Sequence, residues 1–223
     1  MPLNPLLIIL QGRGETVDYW NEAVRVLGER DAYLRSIIEK HRTESLSGSG
    51  DAFTTLANAI VGQQISVAAA AGIWKRLIAR YPSFDPATFA EATIEDLRGC
   101  GLSLRKAEYL TGLALAFRDG SMREEQFVAW SDDEVRDHLT ALRGIGPWTA
   151  EMFLIFHLKR PDVMPLGDIG LQRAARRLYG WPENETPPLL RQRLIDLGET
   201  WRPFRTVAVW YLWRDLDAEP VVY

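Results

Sequence analysis

Helix start and stop signals recur along this chain and constrain its fold more than any other feature. Asp51 and Ser66 each precede a segment whose apolar residues repeat at helical spacing, and Pro82 follows the second segment. No segment alternates convincingly as β-strands do, although residues 6–10 could form one short strand. The sequence therefore predicts an all-α protein of about ten helices. The predicted helices cover residues 18–28, 31–41, 52–62, 67–81, 103–118, 132–142, 147–158, 168–179, 187–201 and 204–216.

Composition and the single cysteine exclude several classes of protein. The chain has 223 residues, of which 47% are hydrophobic and 25% charged, as in ordinary globular domains and unlike disordered chains. Cys100 is the only cysteine, which excludes an intramolecular disulfide, a cysteine-rich zinc site and a four-thiolate iron–sulfur cluster. No apolar run approaches the roughly 20 residues of a membrane-spanning helix, and residues 1–10 lack the features of a signal peptide. We therefore expect a cytoplasmic protein with no membrane partner.

Charge is uneven along the chain. The net charge of −4 by itself argues against a nucleic-acid partner. Residues 138–214, however, contain 11 Lys and Arg against 7 Asp and Glu. Arginine, whose planar fork suits phosphate, supplies 22 of the 26 cations. An ordinary solvated surface explains the same numbers, so charge alone leaves both interpretations open.

The segment Leu142-Arg-Gly-Ile-Gly-Pro-Trp148 joins two predicted helices through glycines at alternate positions. Such glycines permit unusual backbone angles and let a flat group approach the backbone. Pro147 then starts a helix whose N-terminus attracts an anion, most naturally a phosphate. An ordinary turn between two helices is the alternative. The full pattern resembles the helix-hairpin-helix of proteins that grip one DNA strand without reading its sequence. The predicted backbone-binding residues are Gly144, Ile145, Gly146 and Thr149.

Asp168 follows Pro165 and Gly167 at the start of another predicted helix. Aspartate is a favoured N-cap residue, and this structural role is the simplest explanation. Asp168 also lies 20 residues after Trp148, one helix and one loop beyond the hairpin. A chain that returns over that distance can place the carboxylate beside the hairpin helix.

Residues 144–150, Gly-Ile-Gly-Pro-Trp-Thr-Ala, together with Pro165 and Asp168, resemble the helix-hairpin-helix/Gly-Pro-Asp superfamily of DNA glycosylases. Within that superfamily the chain is most similar to 3-methyladenine DNA glycosylase II. The resemblance extends over roughly residues 51–215. Three further segments resemble features of that branch. Ile60–Val67 resembles the segment that fills the hole in the duplex, Asp162–Asp168 the catalytic loop, and Trp201–Trp213 the last helix.

The resemblance implies a two-lobed helical fold with a cleft between the lobes. Residues 51–158 would form a central lobe that contains the helix-hairpin-helix. Residues 1–50 and 159–223 would form the second lobe. Because residues 1–50 are too few and too helical for the N-terminal β domain of some relatives, we expect the compact form of the family.

The resemblance also implies an activity. The enzyme would be a glycosylase of base excision repair that hydrolyses the N-glycosidic bond of flipped-out alkylated purines, such as 3-methyladenine and 7-methylguanine. Asp168 would be the catalytic carboxylate, and the product would be an abasic site. Members with lyase activity carry a lysine where this chain has Trp148, so we expect a hydrolase without lyase activity. Its partner would be double-stranded DNA containing alkylated bases, bound by a monomer.

A base pocket follows from the same resemblance. Alkylated purines are cationic, and aromatic ring faces attract cations. Most of the eight tryptophans are expected in the core. The residues assigned to the base pocket are Trp148, Met152, Trp210 and Trp213.

The resemblance assigns two further roles. It places the wedge that fills the gap in the duplex at Gln64, with Gln63 as the other candidate; two exposed polar residues in a turn are the alternative. It also suggests a structural Na⁺ or K⁺ at the hairpin and no other cofactor. The backbone carbonyls that would hold this cation belong to Thr140, Leu142 and Ile145.

Two other functions stay open. One is a non-catalytic helix-hairpin-helix module that only binds DNA, and Asp168 counts against it because a binding module has no use for that carboxylate. The other is a glycosylase for oxidised or mismatched bases. The missing lysine, the missing cysteines and the abundant tryptophan count against this second alternative.

Overall fold

The structure, a computed structural model, describes residues 17–46 and 50–217. These residues contain thirteen helices and no β-strand, which confirms the all-α prediction. Over the same residues, every helix is too short or too polar to span a membrane. The short strand predicted at residues 6–10 lies outside the described residues. The helices are α1 Trp20–Arg30, α2 Ala32–Lys40, α3 Ala52–Gly62, α4 Val67–Arg80, α5 Pro86–Glu91, α6 Ile94–Gly99, α7 Leu104–Arg118, α8 Glu124–Ala129, α9 Asp132–Thr140, α10 Pro147–Phe156, α11 Ile169–Tyr179, α12 Pro187–Trp201 and α13 Arg205–Asp217.

Side-chain caps begin several helices, including the two predicted at Asp51 and Ser66. Asp51 and Ser66 each accept a hydrogen bond from the backbone N–H three residues later, at 2.8 and 3.2 Å. Ser131 and Glu134 form a complete capping box at the start of α9. Each cap satisfies an N–H group that the helix itself cannot pair.

Two features differ from the prediction. The six-residue helices α5, α6 and α8 are not among the ten predicted ones, because fewer than two turns give too few positions to reveal a helical period. Of the three, α6 has a start signal in the sequence, since Thr93–Asp96 fits the capping-box pattern and Thr93 caps this helix. Helix α9 ends at Thr140 and not at Leu142. The N–H of Leu142 bonds to the carbonyl of Leu139 at 3.1 Å, and this tighter bond turns the chain toward α10.

The chain divides into two compact units. In the first, residues 50–158 form helices α3 to α10 around an aromatic core. The rings of Phe127 and Phe153 meet at 4.9 Å, and Phe53 packs against Phe89 at 5.7 Å. Helix α7 packs against both α3 and α5.

The second unit comprises residues 17–46 and 159–217, with helices α1, α2 and α11 to α13. Its core contains Trp201, whose indole N–H donates to Oδ2 of Asp31 at 3.2 Å, and the hydroxyl of Tyr179 donates to the same oxygen at 2.5 Å. Helix α13 packs against α2 and α11. The lobe boundaries predicted from the sequence also include residues 1–16, 47–49 and 218–223, which lie outside the described residues.

Candidate functional site

The hairpin turn, residues 141–146, joins α9 to α10 in the first unit. Gly144 has a φ of +94°, a conformation that favours glycine. A Cβ on Gly144 would lie only 2.3 Å from Cδ2 of Tyr109. The side chain of Ile145 is buried, with 4% of the residue surface exposed, and anchors the turn in the core of the first unit. The packing of the chain itself therefore requires a glycine at position 144.

Gly146 is a different case. It is the N-cap residue of α10, with φ −98° and ψ 172°, which is extended backbone that any residue adopts. It is exposed, and a Cβ there would meet no atom within 4 Å. Internal packing thus gives no reason for a glycine, whereas the close approach of a phosphate to the helix N-terminus would. Thr149 is buried, unlike Gly146.

The two glutamines after α3 have different surroundings. The side-chain Nε2 of Gln63 donates a 2.8 Å hydrogen bond to the carbonyl of Gly144. Gln63 is therefore bound to the hairpin turn. Gln64 is exposed, and its φ of +55° places it in the left-handed region, which is uncommon for a residue with a side chain. Of the two wedge candidates, Gln64 is the more exposed.

In the second unit, Asp168 caps α11. Its Oδ1 accepts a hydrogen bond from the N–H of Leu171 at 2.6 Å, and its own N–H donates to the carbonyl of Pro165 at 2.9 Å. The side chain is half-buried. The structural role considered for Asp168 is therefore real, and it fixes where the carboxylate lies.

Trp213 supplies a second hydrogen bond to the same oxygen. Its indole Nε1 donates to Oδ1 of Asp168 at 2.9 Å, and only 1% of the Trp213 surface is exposed. Gly170 completes this arrangement, because a Cβ there would lie 3.0 Å from that Oδ1 and 3.4 Å from the indole. A side chain at position 170 would therefore press on both groups. The carboxylate is thus oriented by two donors on rigid helices.

The loop that precedes Asp168 is fastened to the start of α13. The buried Thr206 hydroxyl donates to the carbonyl of Arg160 at 2.6 Å and accepts the N–H of Val163 at 3.0 Å. Arg205 donates from Nε to Oδ1 of Asp162 at 2.7 Å. These contacts hold both sides of the loop against the helix that carries Trp213.

The other three residues assigned to the base pocket, Trp148, Met152 and Trp210, differ in burial and in packing. Trp148 is half-buried in the first turn of α10, and Met152 lies one turn later with 1% of its surface exposed. Trp210 packs edge-on against Trp20 and Tyr211, each at 5.0 Å between ring centroids. This environment favours a packing role for Trp210.

The donor chemistry at the hairpin fits a monovalent cation. Of the three carbonyls considered, that of Thr140 ends α9 and those of Leu142 and Ile145 belong to the hairpin turn, and neutral carbonyl oxygens are suitable ligands for Na⁺ or K⁺. The Leu142 carbonyl accepts the N–H of Ile145 at 3.1 Å and keeps its second lone pair. Among the described residues, no group of three or more His, Cys, Asp or Glu side chains could hold another metal ion.

Several hydrogen bonds of the site were not predicted from the sequence. Trp213 was placed in the base pocket, with no indication of its bond to Asp168. A buried tryptophan needs an acceptor for its N–H, and that requirement was the available signal. The bonds of Gln63 and Thr206 to distant carbonyls carry no local signal at all.

Known proteins are similar to this chain in sequence and in fold. The family described as HhH-GPD superfamily base excision DNA repair protein matches residues 57–200. A putative DNA-3-methyladenine glycosylase of Bacillus subtilis is 29% identical over 194 residues, which cover 82% of this chain and 66% of that protein. This chain therefore spans about two thirds of the length of that relative.

Two solved structures are also similar. A DNA-3-methyladenine glycosidase from Bacillus halodurans is 34% identical with a TM-score of 0.76, and the match covers 87% of this chain and 88% of that one. The 3-methyladenine DNA glycosylase of Schizosaccharomyces pombe, in complex with abasic DNA, is 29% identical with a TM-score of 0.73, over 86% and 95% of the two chains. Since the family match spans well over half of the sequence, this chain belongs to the HhH-GPD superfamily of base excision DNA repair proteins.

Proposed function

We propose that this protein is a DNA glycosylase of base excision repair that hydrolyses the N-glycosidic bond of alkylated purines. The observation that carries the proposal is the carboxylate of Asp168, held by the N–H of Leu171 and the indole of Trp213. The similar proteins described above are named for 3-methyladenine, and one of them is in complex with abasic DNA. An abasic site is the product that base removal leaves.

One carboxylate suffices for this chemistry. Purines alkylated at N3 or N7 are cationic, so their glycosidic bond is weak and the base leaves as a neutral molecule without a general acid. The sugar becomes an oxocarbenium-like cation in the transition state. The negative charge of Asp168 stabilises that cation or orients the attacking water. The two hydrogen bonds on Oδ1 keep the charge in place, so little reorganisation is needed when the bond breaks.

Residues of the first unit would supply DNA binding and base extrusion. The N-terminus of α10, with Gly146 as its cap, would bind a backbone phosphate. Gln64 would fill the gap that a flipped-out base leaves in the duplex. Trp148, which is half-buried, would offer a ring face to a cationic purine.

The reaction would be hydrolysis without lyase activity, of the type of 3-methyladenine DNA glycosylase II. Lyase chemistry needs an amine that attacks the sugar to form an imine. Position 148 holds tryptophan, and residues 140–158 contain no lysine. Water is therefore the proposed nucleophile.

The proposed partner is double-stranded DNA with alkylated bases, bound by a monomer in the cytoplasm. A Na⁺ or K⁺ on the carbonyls of Thr140, Leu142 and Ile145 would add positive charge beside the bound phosphate. Asp168 and water complete the proposed reaction, which needs no further cofactor.

A second function is favoured by one observation. Asp168 serves as the N-cap of α11, and an N-cap alone explains an aspartate at this position. In that case the protein would be a DNA-binding module without catalysis.

Incubation with duplexes that each carry one defined lesion separates the two functions. Alkali cleaves the strand at any abasic site formed. We expect strand breaks at 3-methyladenine and 7-methylguanine, none in an unmodified duplex, and strongly reduced breaks with Asp168→Asn. DNA binding without breaks at any lesion would support the binding module, and breaks confined to oxidised or mismatched bases would correct the substrate class.

A further inference from the structure

Side chains join two turns of the first unit. The wedge turn, residues 63–66, follows α3, and the hairpin turn, residues 141–146, precedes α10. The amide of Gln63 bonds directly to the carbonyl of Gly144 at 2.8 Å. This bond connects segments that are 81 residues apart in the sequence.

Lys106 fastens the wedge turn from the other side. Its Nζ, on α7, donates to the carbonyl of Val61 at 2.8 Å and to that of Gln63 at 2.6 Å. These carbonyls lie at the C-terminus of α3, where the helix supplies no partner and a cation is favourable. Lys106 is half-buried, and burial lowers the pKa of its ammonium group. The two hydrogen bonds of Lys106 therefore hold the carbonyls of Val61 and Gln63 in place.

Tyr109 places the same helix against the hairpin turn. It lies three residues after Lys106, on the same face of α7. Its ring occupies the space where a Cβ of Gly144 would stand, 2.3 Å from Cδ2. Helix α7 therefore contacts both turns, one through Lys106 and the other through Tyr109.

Gln64 follows the fastened residue directly. Its φ of +55° is disfavoured for a residue with a side chain, and such conformations persist where the surroundings over-determine them. The carbonyl of Gln63 is fixed by Lys106 and its side chain by Gly144. The peptide that leads into Gln64 is thus held on both sides.

We propose that Gln63 and Lys106 are positioning residues that fix the wedge Gln64 relative to the phosphate-binding hairpin. The proposal rests on the function proposed above, because it needs a wedge and a base to flip. With the hairpin gripping the backbone, a wedge at a fixed distance from that grip can hold the duplex open. If the turn were flexible, the wedge would be displaced when the base stacks back into the duplex, and the flipped state would be less populated.

A double-mutant cycle tests this role. Gln63→Met removes the amide donor at similar length and without a change of charge, and Gln64→Ala removes the wedge. Flipping is followed by the fluorescence of 2-aminopurine placed next to the lesion, and excision by single-turnover rates with saturating enzyme. We expect each single variant to lose about tenfold in the excision rate, and the double variant to be no slower than Gln64→Ala alone.

A second pair of variants keeps the proposal testable if Gln63→Met folds poorly. Lys106→Met removes the ammonium group, and Lys75→Met removes the same charge from an exposed lysine of α4 in the same unit. We expect the first to reduce the fluorescence rise and the rate, and the second to leave both within about twofold. Thermal melting of each variant verifies that it is folded.

Three results would overturn the inference. Losses that multiply in the double variant would mean that Gln63 acts independently of Gln64. If Lys106→Met and Lys75→Met changed the fluorescence rise and the excision rate equally, Lys106 would act only through its positive charge and not through its hydrogen bonds. A wild-type protein that gives no fluorescence rise would have no wedge to position. A wild-type protein that flips the base without excising it would instead contradict the proposed chemistry. The 2-aminopurine fluorescence of the variants would still test the positioning role of Gln63 and Lys106.

Discussion

The indole Nε1 of Trp213 donates a 2.9 Å hydrogen bond to the Oδ1 of Asp168 that also receives the N–H of Leu171. One oxygen thus serves both the cap of α11 and the orientation of the carboxylate. The structural and catalytic interpretations of Asp168 are therefore compatible. They differ in what they predict for reaction rate, not for stability.

Asp168→Asn separates charge from shape. Asparagine keeps an oxygen that accepts both hydrogen bonds, and it caps helices as well as aspartate does. We expect the free energy of unfolding to change by less than about 1 kcal/mol. The rate of excision should fall by about two to four powers of ten, because the lost charge acts mainly in the transition state. Binding to lesion DNA should persist.

Single-turnover excision at saturating enzyme measures this effect, with the melting temperature as the control for folding. The loss should be smaller for 7-methylguanine, whose bond is already weak, than for a neutral lesion. Near-wild-type rates would leave Asp168 as a helix cap only.

Trp213→Phe removes the indole donor and keeps an aromatic ring in the core. We expect about a tenfold slower excision, since the carboxylate loses the hydrogen bond from the indole, and about 1–3 kcal/mol lower stability from the smaller ring and lost hydrogen bond. Trp201→Phe is the matched control, because it removes an indole N–H bonded to Asp31 in the same unit. Rates are compared at a temperature where both variants are fully folded. An equal loss of rate in the two variants would refute a specific role for Trp213.

The stability of the second unit should depend on the ionisation of Glu44. Partial burial acts to raise the pKa of this carboxyl, but hydrogen bonds from His41 and Arg214 outweigh it, and the net pKa lies below its ordinary value. Arg214 donates to Oε2 from Nε at 2.8 Å and also from Nη2. A lowered pKa in the folded state contributes stability above the ordinary value, and this contribution is lost as the pH falls through the lowered one.

We therefore expect Glu44→Gln to cost about 0.5–1 kcal/mol at pH 7 and progressively less below about pH 4. Urea unfolding at a series of pH values measures the difference. Glu39→Gln, at an exposed site on α2, should show no such trend. A cost for Glu44→Gln that is constant with pH would contradict the assignment.

Borohydride trapping tests the absence of lyase activity. A lyase forms an imine with the abasic sugar, and reduction converts it to a stable cross-link. Because position 148 is tryptophan, we expect no cross-linked product with abasic DNA. A lyase-active glycosylase run in parallel verifies the reagent, and a cross-link to this chain would show that one of its amines acts as a nucleophile.

Local signals in the sequence were sufficient for most of the fold. Helices α3 and α12 have the bounds that were predicted, 52–62 and 187–201. Caps and prolines act within three or four residues of the helix end, so they are visible in the sequence alone. The positions of Asp168 and of the hairpin glycines could be found for the same reason.

The contacts that orient the site could not be found in this way. Trp213 and Asp168 are 45 residues apart, and Gln63 and Gly144 are 81 residues apart. Such bonds depend on how helices pack and on which rotamers the neighbours allow, and neither leaves a periodic trace in the sequence. The distinction between Gly144 and Gly146 has the same origin, because it depends on the ring of Tyr109.

The two hairpin glycines therefore give the most discriminating test of the phosphate site. Gly144→Ala places a side chain at φ +94° and against the ring of Tyr109, so we expect a loss of at least about 2 kcal/mol in stability. Gly146→Ala meets open space and extended backbone, and should cost only about 0.5–1 kcal/mol as a poorer N-cap.

The effect on DNA affinity should have the opposite order. When both variants are folded, Gly146→Ala should weaken DNA binding more than Gly144→Ala. The methyl group of Gly146→Ala would stand where the phosphate approaches the N-terminus of α10, so binding should weaken about tenfold, and equally for damaged and undamaged duplexes, because a backbone contact carries no information on the base. Thermal melting and fluorescence anisotropy with both duplexes measure the two effects. If Gly146→Ala changed the choice of lesion and left affinity intact, the hairpin would contact the base and not the phosphate.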